Sequence, residues 1–225
     1  MFLTCLPLDA FGSVVNIPGF DEGKFVVQDT GSMMVSFLAG IKAGDVVMDV
    51  CAAPGGKTIH AADLTGQKGK VYSYDLSEDR CEKIIDNIER LNIHNVEVRQ
   101  HDATQFIEEM SEKANVVIVD APCSGIGVMG HKSDIKYRLK PEDIKALSLL
   151  QRDIIDTAVK YVAPGGRFVY STCTISREEN DEQARYIQDK YGFCLIPYDN
   201  DKDTLQLYPG VDKSDGFFIA VFEKR

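Results

Sequence analysis

Two cysteines stand in comparable surroundings: Cys123 in Asp120-Ala121-Pro122-Cys123-Ser124-Gly125, and Cys173 in Ser171-Thr172-Cys173-Thr174. Each follows a short run of β-forming residues, so neighbouring strands of one sheet would bring both thiols to the same rim. A thiolate attacks soft, electron-poor carbons well, and a helix N-terminus lowers a thiol's pKa. Carbon 6 of a pyrimidine is such a carbon, and thiolate addition there makes carbon 5 nucleophilic enough to take a methyl group from a sulfonium donor. The adduct must then lose the carbon-5 proton and expel the thiolate, a cycle that can use two thiols and an acid. A lone cysteine is ordinarily a small buried hydrophobe, which is how Cys5, Cys51, Cys81 and Cys194 read.

A second constellation is Asp49-Val50-Cys51-Ala52-Ala53-Pro54-Gly55-Gly56-Lys57-Thr58, a small-residue turn between a strand and a helix. Small side chains let a ligand approach backbone amides, and the helix start offers free N–H groups. Gly56-Lys57-Thr58 fits the end of a phosphate-binding P-loop, but Cys51 stands where the first glycine is required. A G-x-G-x-x-G dinucleotide fingerprint is not met. The remaining option is an adenosine-type cofactor without a phosphate cradle, whose ribose would bond a carboxylate after the second strand. Asp75 stands there, 24 residues after Cys51. Asp49, Asp75, Asp102 and Asp120 each close a strand. One such Asp is as often a helix N-cap, but four at consecutive strand ends favour a polar ligand lying across the sheet edge.

Positioning these residues requires a parallel sheet. From Val46 onward, short β-rich runs alternate with longer helical stretches, the pattern of a doubly wound α/β fold. Strands are predicted at Val46 to Val50, Lys70 to Tyr74, Val96 to Arg99, Val116 to Val119 and Arg167 to Ser171, with a final pair near Phe193 to Ile196 and Phe217 to Phe222. Helices are predicted near 57–65, 77–91, 103–110, 141–162 and 176–190. Cys81, Ile84, Ile85, Ile88 and Leu91 recur at helical steps and predict one buried face. The helix near Ser176 would present its N-terminus to Cys173. Pro141 suits a first helical turn, and Pro164-Gly165-Gly166 would stop that helix before the next strand. The stretch 121–140 is long for a loop, and long loops in compact domains are usually functional.

Composition narrows the classes. With 44% hydrophobic and 27% charged residues, the 225-residue chain has enough apolar mass for a substantial core, which excludes disordered and fibrous classes. Apolar runs such as Val116-Val117-Ile118-Val119 fall far short of the ~20 residues that span a bilayer, so no membrane association is expected. The first residues carry no basic segment ahead of their apolar ones, so a cytoplasmic location with reduced thiols is expected. The six cysteines lie at least 21 residues apart, offering no CxxC pair, and no metal is expected. With 25 bases against 35 acids the net charge is −10, so any nucleic-acid site must be a local patch.

Taken together, Gln28-Asp29 with Ser32, the turn Cys51 to Lys57, Asp75, Asp102, the Asp120 to Gly125 and Ser171 to Thr174 motifs, Tyr208-Pro209 and Asp215-Gly216-Phe217-Phe218 resemble, in order and spacing, the Sun-type RNA cytosine-5 methyltransferases. Asp134-Ile135-Lys136-Tyr137-Arg138 is most similar to the bacterial small-subunit ribosomal RNA branch. The resemblance covers roughly residues 24 to 225. It implies a seven-stranded, mostly parallel, Rossmann-like methyltransferase sheet with an antiparallel C-terminal strand. It also implies a catalytic domain at 28–225 behind a β-rich remnant or extension at 1–27, the branch's additional RNA-binding region being largely lacking. By the same resemblance Cys173 is the nucleophile, Cys123 assists product release, Asp120 bonds the cytosine edge and Lys57 lies near the reaction centre. Cys51, Ala52, Ala53, Pro54, Gly55, Gly56, Lys57, Asp75, Asp102 and Asp120 would bind S-adenosylmethionine, with Asp75 on the ribose and Asp102 near the adenine.

The target base would have to leave its stack to meet both thiols. Between 131 and 152, six bases face three acids, a surplus of three on the loop bearing Cys123, so Lys132, Lys136 and Arg138 are expected to face RNA. The expected protein is a monomer acting on RNA, ribosomal in the first place and transfer RNA in the alternative. Two other classes compete: a P-loop-like NTPase, disfavoured by Cys51, and a non-catalytic RNA-binding module, weakened by the intact cysteine pair.

Overall fold

The computed structural model describes residues 12–199, 202–212 and 214–225. Residues 1–11, with Cys5 and the first part of the expected N-terminal β-rich segment, lie outside the described residues. Strands β1 (Val46–Asp49), β2 (Lys70–Asp75), β3 (Val96–Gln100), β4 (Ala114–Asp120) and β5 (Val162–Thr172) run parallel in the order β3-β2-β1-β4-β5. Antiparallel to β5 lies β8 (Phe217–Glu223), whose far edge pairs first with β6 (Cys194–Leu195) and then with β7 (Thr204–Leu207). The sheet thus has eight strands in the seven lateral positions expected. The extra strand, β7, alternates polar and apolar residues, Thr204-Leu205-Gln206-Leu207, but is only four residues long.

Burial on both faces explains why the central strands read as nearly unbroken apolar runs. Side chains alternate across a strand, so Val116 and Ile118 join the core beneath α1 (Thr30–Leu38) and α2 (Gly56–Thr65), with Val35, Ala61 and Ala62. Val117 and Val119 join the other core, with Ile154 and Ile155 of α5 (Pro141–Ala158) and Ile187 of α6 (Asp181–Tyr191). α3 (Glu78–Arg90) lies along β2 and β3. Its buried face runs through Cys81 and Ile84 towards Ile88, whereas Ile85 is 37% exposed and does not belong to it. Among the described residues no helix is long and apolar enough to cross a membrane.

Several expected elements differ. Residues 12–27 hold a 3-10 turn at Val14–Asn16 and no strand; they are anchored by Arg90, whose Nη1 donates to Phe20 O (2.7 Å) and Phe25 O (3.2 Å). The unforeseen α1 starts in the poor helix formers Thr30-Gly31-Ser32. Asp29 caps it by accepting from Gly31 N (2.8 Å), and a Cβ on Gly31 would lie 2.7 Å from the Phe217 ring, so packing against β8 demands glycine.

No α-helix forms over 103–110. Asp102 Oδ1 accepts from Thr104 N (2.9 Å), while the Tyr161 hydroxyl takes up Ile107 N (3.0 Å) and Gln105 O (3.2 Å), leaving a 3-10 turn at Glu108–Met110. The helix at 141 ends at Ala158, well before Pro164-Gly165-Gly166, which forms a bulge inside β5 between the Ala114↔Val162 and Val116↔Arg167 pairings. The long loop at 121–140 contains a 3-10 turn at Ile126–Val128 and the short α4 (Ile135–Arg138).

Candidate active site

The strand order reverses between β1 and β4, and in open α/β sheets ligands bind outside the carboxyl ends of the strands at that point. β1 leads there into a turn held by Ala52 N to Tyr74 O (2.9 Å), Gly55 N to Ala52 O (2.8 Å) and Ala53 N to Asp75 Oδ2 (2.9 Å). Gly55 has φ +104°, and a Cβ on it would meet Ile84 Cγ2 at 3.2 Å. No side chain caps α2, so its first amides point to the site unclaimed by a cap. Beneath the turn Asp49 is fully buried: Thr58 Oγ1 donates to its Oδ2 (2.8 Å), while Oδ1 lacks a well-formed hydrogen bond. Burial pushes this carboxyl from 3.8 up to about 7, opposed by the Thr58 bond and the nearby Lys57 charge. An uncapped helix start among small side chains fits a ligand that brings a negatively charged group to the free amides.

The strand-end acids do not form one open rim. Asp75 has its side chain 3% exposed; Oδ2 holds Ala53 N, and Oδ1 has only long contacts, to Ser77 N (3.4 Å) and Arg80 Nε (3.3 Å). Asp102 is exposed, and the Thr104 backbone N–H and hydroxyl hold its carboxyl below the usual range. Asp120 lies between, 29% exposed.

At the ends of β4 and β5, with Asp120 opposite Ser171, the two cysteines meet: Cys123 Sγ and Cys173 Sγ are 3.3 Å apart. The two thiols differ in acidity. The hydrogen bond from Cys123 lowers the Cys173 thiol, against burial and Asp120 and with help from the Lys132 and Lys57 charges; Cys123 is pushed well above the ordinary thiol range by the same bond and by burial. The helix expected to begin near Ser176 starts later, at Asp181. Burial and neighbouring acids push Cys51 strongly upward, an inert thiol as expected.

Lys57 joins the turn to the thiols. Its Nζ donates to Asp120 Oδ2 (2.6 Å) and Ser32 Oγ (3.3 Å) and sits 5.3 Å above the Phe217 ring, while Ser171 Oγ donates to Asp120 Oδ1 (2.8 Å). Burial works to discharge Lys57, but the charge and hydrogen bond of Asp120 outweigh it, and its pKa stands above the usual lysine value. The Cys123 loop is pinned by Gly127 N to Cys173 O (3.1 Å) and Gly216 N to Gly127 O (2.9 Å). A Cβ on Gly127 would lie 2.2 Å from Gly216 O and one on Gly216 2.6 Å from Gly127 Cα, which explains glycine at both positions.

Lys132, Lys136 and Arg138 are exposed on the lip beyond, Arg138 paired with Asp134. Lys132 is near enough to act on the Cys173 thiol. Sequence reasoning missed the fully buried Glu179 and Asn180, which it placed on a helix start. An acid among charged neighbours carries no signal of burial.

The family model of the 16S rRNA methyltransferase RsmB/F matches residues 37–223. The chain belongs to this family. RsmB/F proteins are S-adenosylmethionine-dependent methyltransferases, and the uncapped turn with its charged surroundings suits such a zwitterionic sulfonium. The chain is 34% identical to ribosomal RNA small subunit methyltransferase B of Vibrio cholerae, over 94% of its own length and 49% of that protein. It is 33% identical to tRNA (cytosine(72)-C(5))-methyltransferase of Pyrococcus horikoshii, over 97% of its length and 57% of that protein. The crystal structure of NSun6 from Pyrococcus horikoshii with SFG, an S-adenosylmethionine analogue, superposes with a TM-score of 0.82 at 32% identity, covering 95% of this chain and 56% of that one. The chain therefore spans about half the length of these curated relatives.

Proposed function

We propose that the chain is the catalytic half of an RNA methyltransferase that modifies carbon 5 of a cytosine in small-subunit ribosomal RNA, through a covalent adduct between Cys173 and carbon 6. The observation that carries this reading is the contact of two thiols, 3.3 Å apart, beside a partly buried Lys57–Asp120 ion pair. A binding module needs neither an activated thiol nor a second thiol to donate a proton to it.

Residues 51–57 would hold S-adenosylmethionine, with Asp75 on the ribose and Asp102 towards the adenine. A carboxylate oxygen with only long contacts, such as Asp75 Oδ1, can still accept from a hydroxyl. When bound, this cofactor supplies an electrophilic methyl group for carbon 5. Cys173 Sγ, the more acidic thiol, adds its electron pair to carbon 6 and so raises electron density at carbon 5. Cys123 keeps its proton while Cys173 is a thiolate; once Cys173 is bonded to carbon 6, Cys123 releases that proton to solvent and, as a thiolate, takes up the carbon-5 proton after methylation, so that the ring double bond re-forms and the Sγ–carbon bond breaks to return the Cys173 thiolate. Lys57, held charged by Asp120, stabilises negative charge as it develops on the base. Lys132, Lys136 and Arg138 would meet the RNA backbone.

The test is methyl transfer from labelled S-adenosylmethionine to small-subunit ribosomal RNA and to transfer RNA, followed by mapping of 5-methylcytosine. Label in ribosomal cytosine is expected. Label confined to transfer RNA would replace the substrate, and label elsewhere than carbon 5 would overturn the chemistry.

A further inference from the structure

Between Cys173 and α6 lies a segment that carries no part of the chemistry above, yet holds one of the most buried polar clusters in the molecule. Glu179 is fully buried, and its carboxyl group accepts from Ser124 N (2.8 Å), Ser124 Oγ (2.5 Å) and Gln151 Nε2 (3.1 Å). Ser124 follows Cys123 directly, and its hydroxyl also meets Thr174 Oγ1 at 2.8 Å, the residue directly after Cys173. Asn180, also fully buried, grips the other side: Thr172 Oγ1 donates to its Oδ1 (2.5 Å), and its Nδ2 donates to Thr174 O (3.0 Å). Gln151 Nε2 donates to Pro122 O as well (3.0 Å), so α5 holds the residue before Cys123. The residues flanking both thiols are thus tied to one pair, while the thiol side chains reach out of the network towards each other.

Burying a carboxyl group whose partners are an amide, a hydroxyl and a carboxamide is costly compared with filling the same space with apolar side chains. What such a network provides is direction: each bond fixes a backbone or side-chain atom within a few tenths of an ångström, where apolar packing would tolerate sliding. The thiol pair needs that fixity. Proton sharing between sulfurs falls off steeply beyond contact, and a misplacement on the order of 1 Å at a reacting group costs about 100-fold in rate.

We propose that Glu179 is a positioning residue for both thiols, a buried clasp that sets the Cys123–Cys173 separation. The inference deepens the reaction proposed above and rests on it for its functional meaning, but the separation itself can be measured without RNA or cofactor.

The experiment is the rate of disulfide closure between Cys123 and Cys173 in the full chain under a mild thiol oxidant, diamide. Each thiol loses one proton and one electron, and diamide is reduced to the hydrazine. The other cysteines are replaced by serine or alanine, and closure is followed by loss of free thiols. Glu179→Gln, which keeps the volume but sets an amide against the Ser124 donors, and Ser124→Ala, which removes one bond, are compared with the parent. Closure is expected to slow by about tenfold or more in Glu179→Gln and less in Ser124→Ala, with S-adenosylmethionine affinity unchanged because the 51–57 turn lies outside the network. In methyl transfer kcat should fall and the cofactor KM should not. A folded Glu179→Gln protein that closes its disulfide at the parent rate overturns the proposal. Equal losses of closure and cofactor affinity would also overturn it, because the residue would then support the fold at large. If Glu179→Gln does not fold, Ser124→Ala alone decides by the same two readouts. Should the parent methylate no RNA while closure still slows in the variants, the clasp stands and the reaction assignment falls.

Discussion

The two halves of the sheet's carboxyl edge present chemistry differently. At the ends of β1 and β2 the ligand-facing groups belong to the backbone, in a turn of small residues, and the acidic side chains lie under it: Asp49 fully buried and Asp75 bonded to Ala53 N. At the ends of β4 and β5 the working groups are side chains, Cys123, Cys173, Asp120 and the incoming Lys57, held by a second layer of buried polar residues. A backbone site tolerates side-chain change wherever turn geometry survives. A side-chain site loses its chemistry with one substitution and depends on residues that never touch substrate.

The sharpest way to break this contrast is Lys57→Ala, because Lys57 is a backbone element of the first half and a side-chain element of the second. Loss of the buried cation should lower kcat by roughly 10³-fold, while the S-adenosylmethionine dissociation constant, measured by calorimetry, changes far less. Equal losses in both would merge the two halves.

The next effect is a pH dependence of stability originating under the turn. Asp49 takes up its proton near pH 7 in the folded chain and near 3.8 unfolded. Between these values the folded state binds more protons, so this group's contribution to stability is full below about 4 and is lost as pH rises through about 7, a change on the order of 4 kcal/mol. Urea denaturation across this range should show Asp49→Asn flattening the decline. A decline identical to the parent's would place the titrating group elsewhere.

The smallest effect belongs to the lip. Replacing Lys136 and Arg138 with Ala should reduce the slope of log affinity against log salt by about two for RNA binding, with little change in kcat at saturation. An unchanged slope would remove α4 from the RNA footprint.

What the sequence disclosed follows the same division. The turn and both cysteine motifs were legible because they are contiguous and their chemistry depends on residue type. The central strands were legible because two-sided burial makes runs such as Val116 to Val119 apolar throughout. What escaped depends on distant partners. α1 is set by the Asp29 cap and by the approach of Gly31 to Phe217; the helix expected over 103–110 is replaced by bonds to Thr104 and Tyr161. The source of Cys173's acidity also escaped, since the helix expected beside it begins only at Asp181, and Glu179 and Asn180 are turned inward instead. No local pattern distinguishes a buried glutamate from a solvated one.

The central claim, that Cys173 attacks and Cys123 releases, is tested most directly by incubating Cys173→Ala and Cys123→Ala proteins with ribosomal RNA and S-adenosylmethionine and resolving them by denaturing electrophoresis. The account predicts that Cys123→Ala accumulates a protein–RNA adduct that survives denaturation, whereas Cys173→Ala forms none and transfers no methyl group. An adduct in Cys173→Ala, or full turnover by it, would contradict the account.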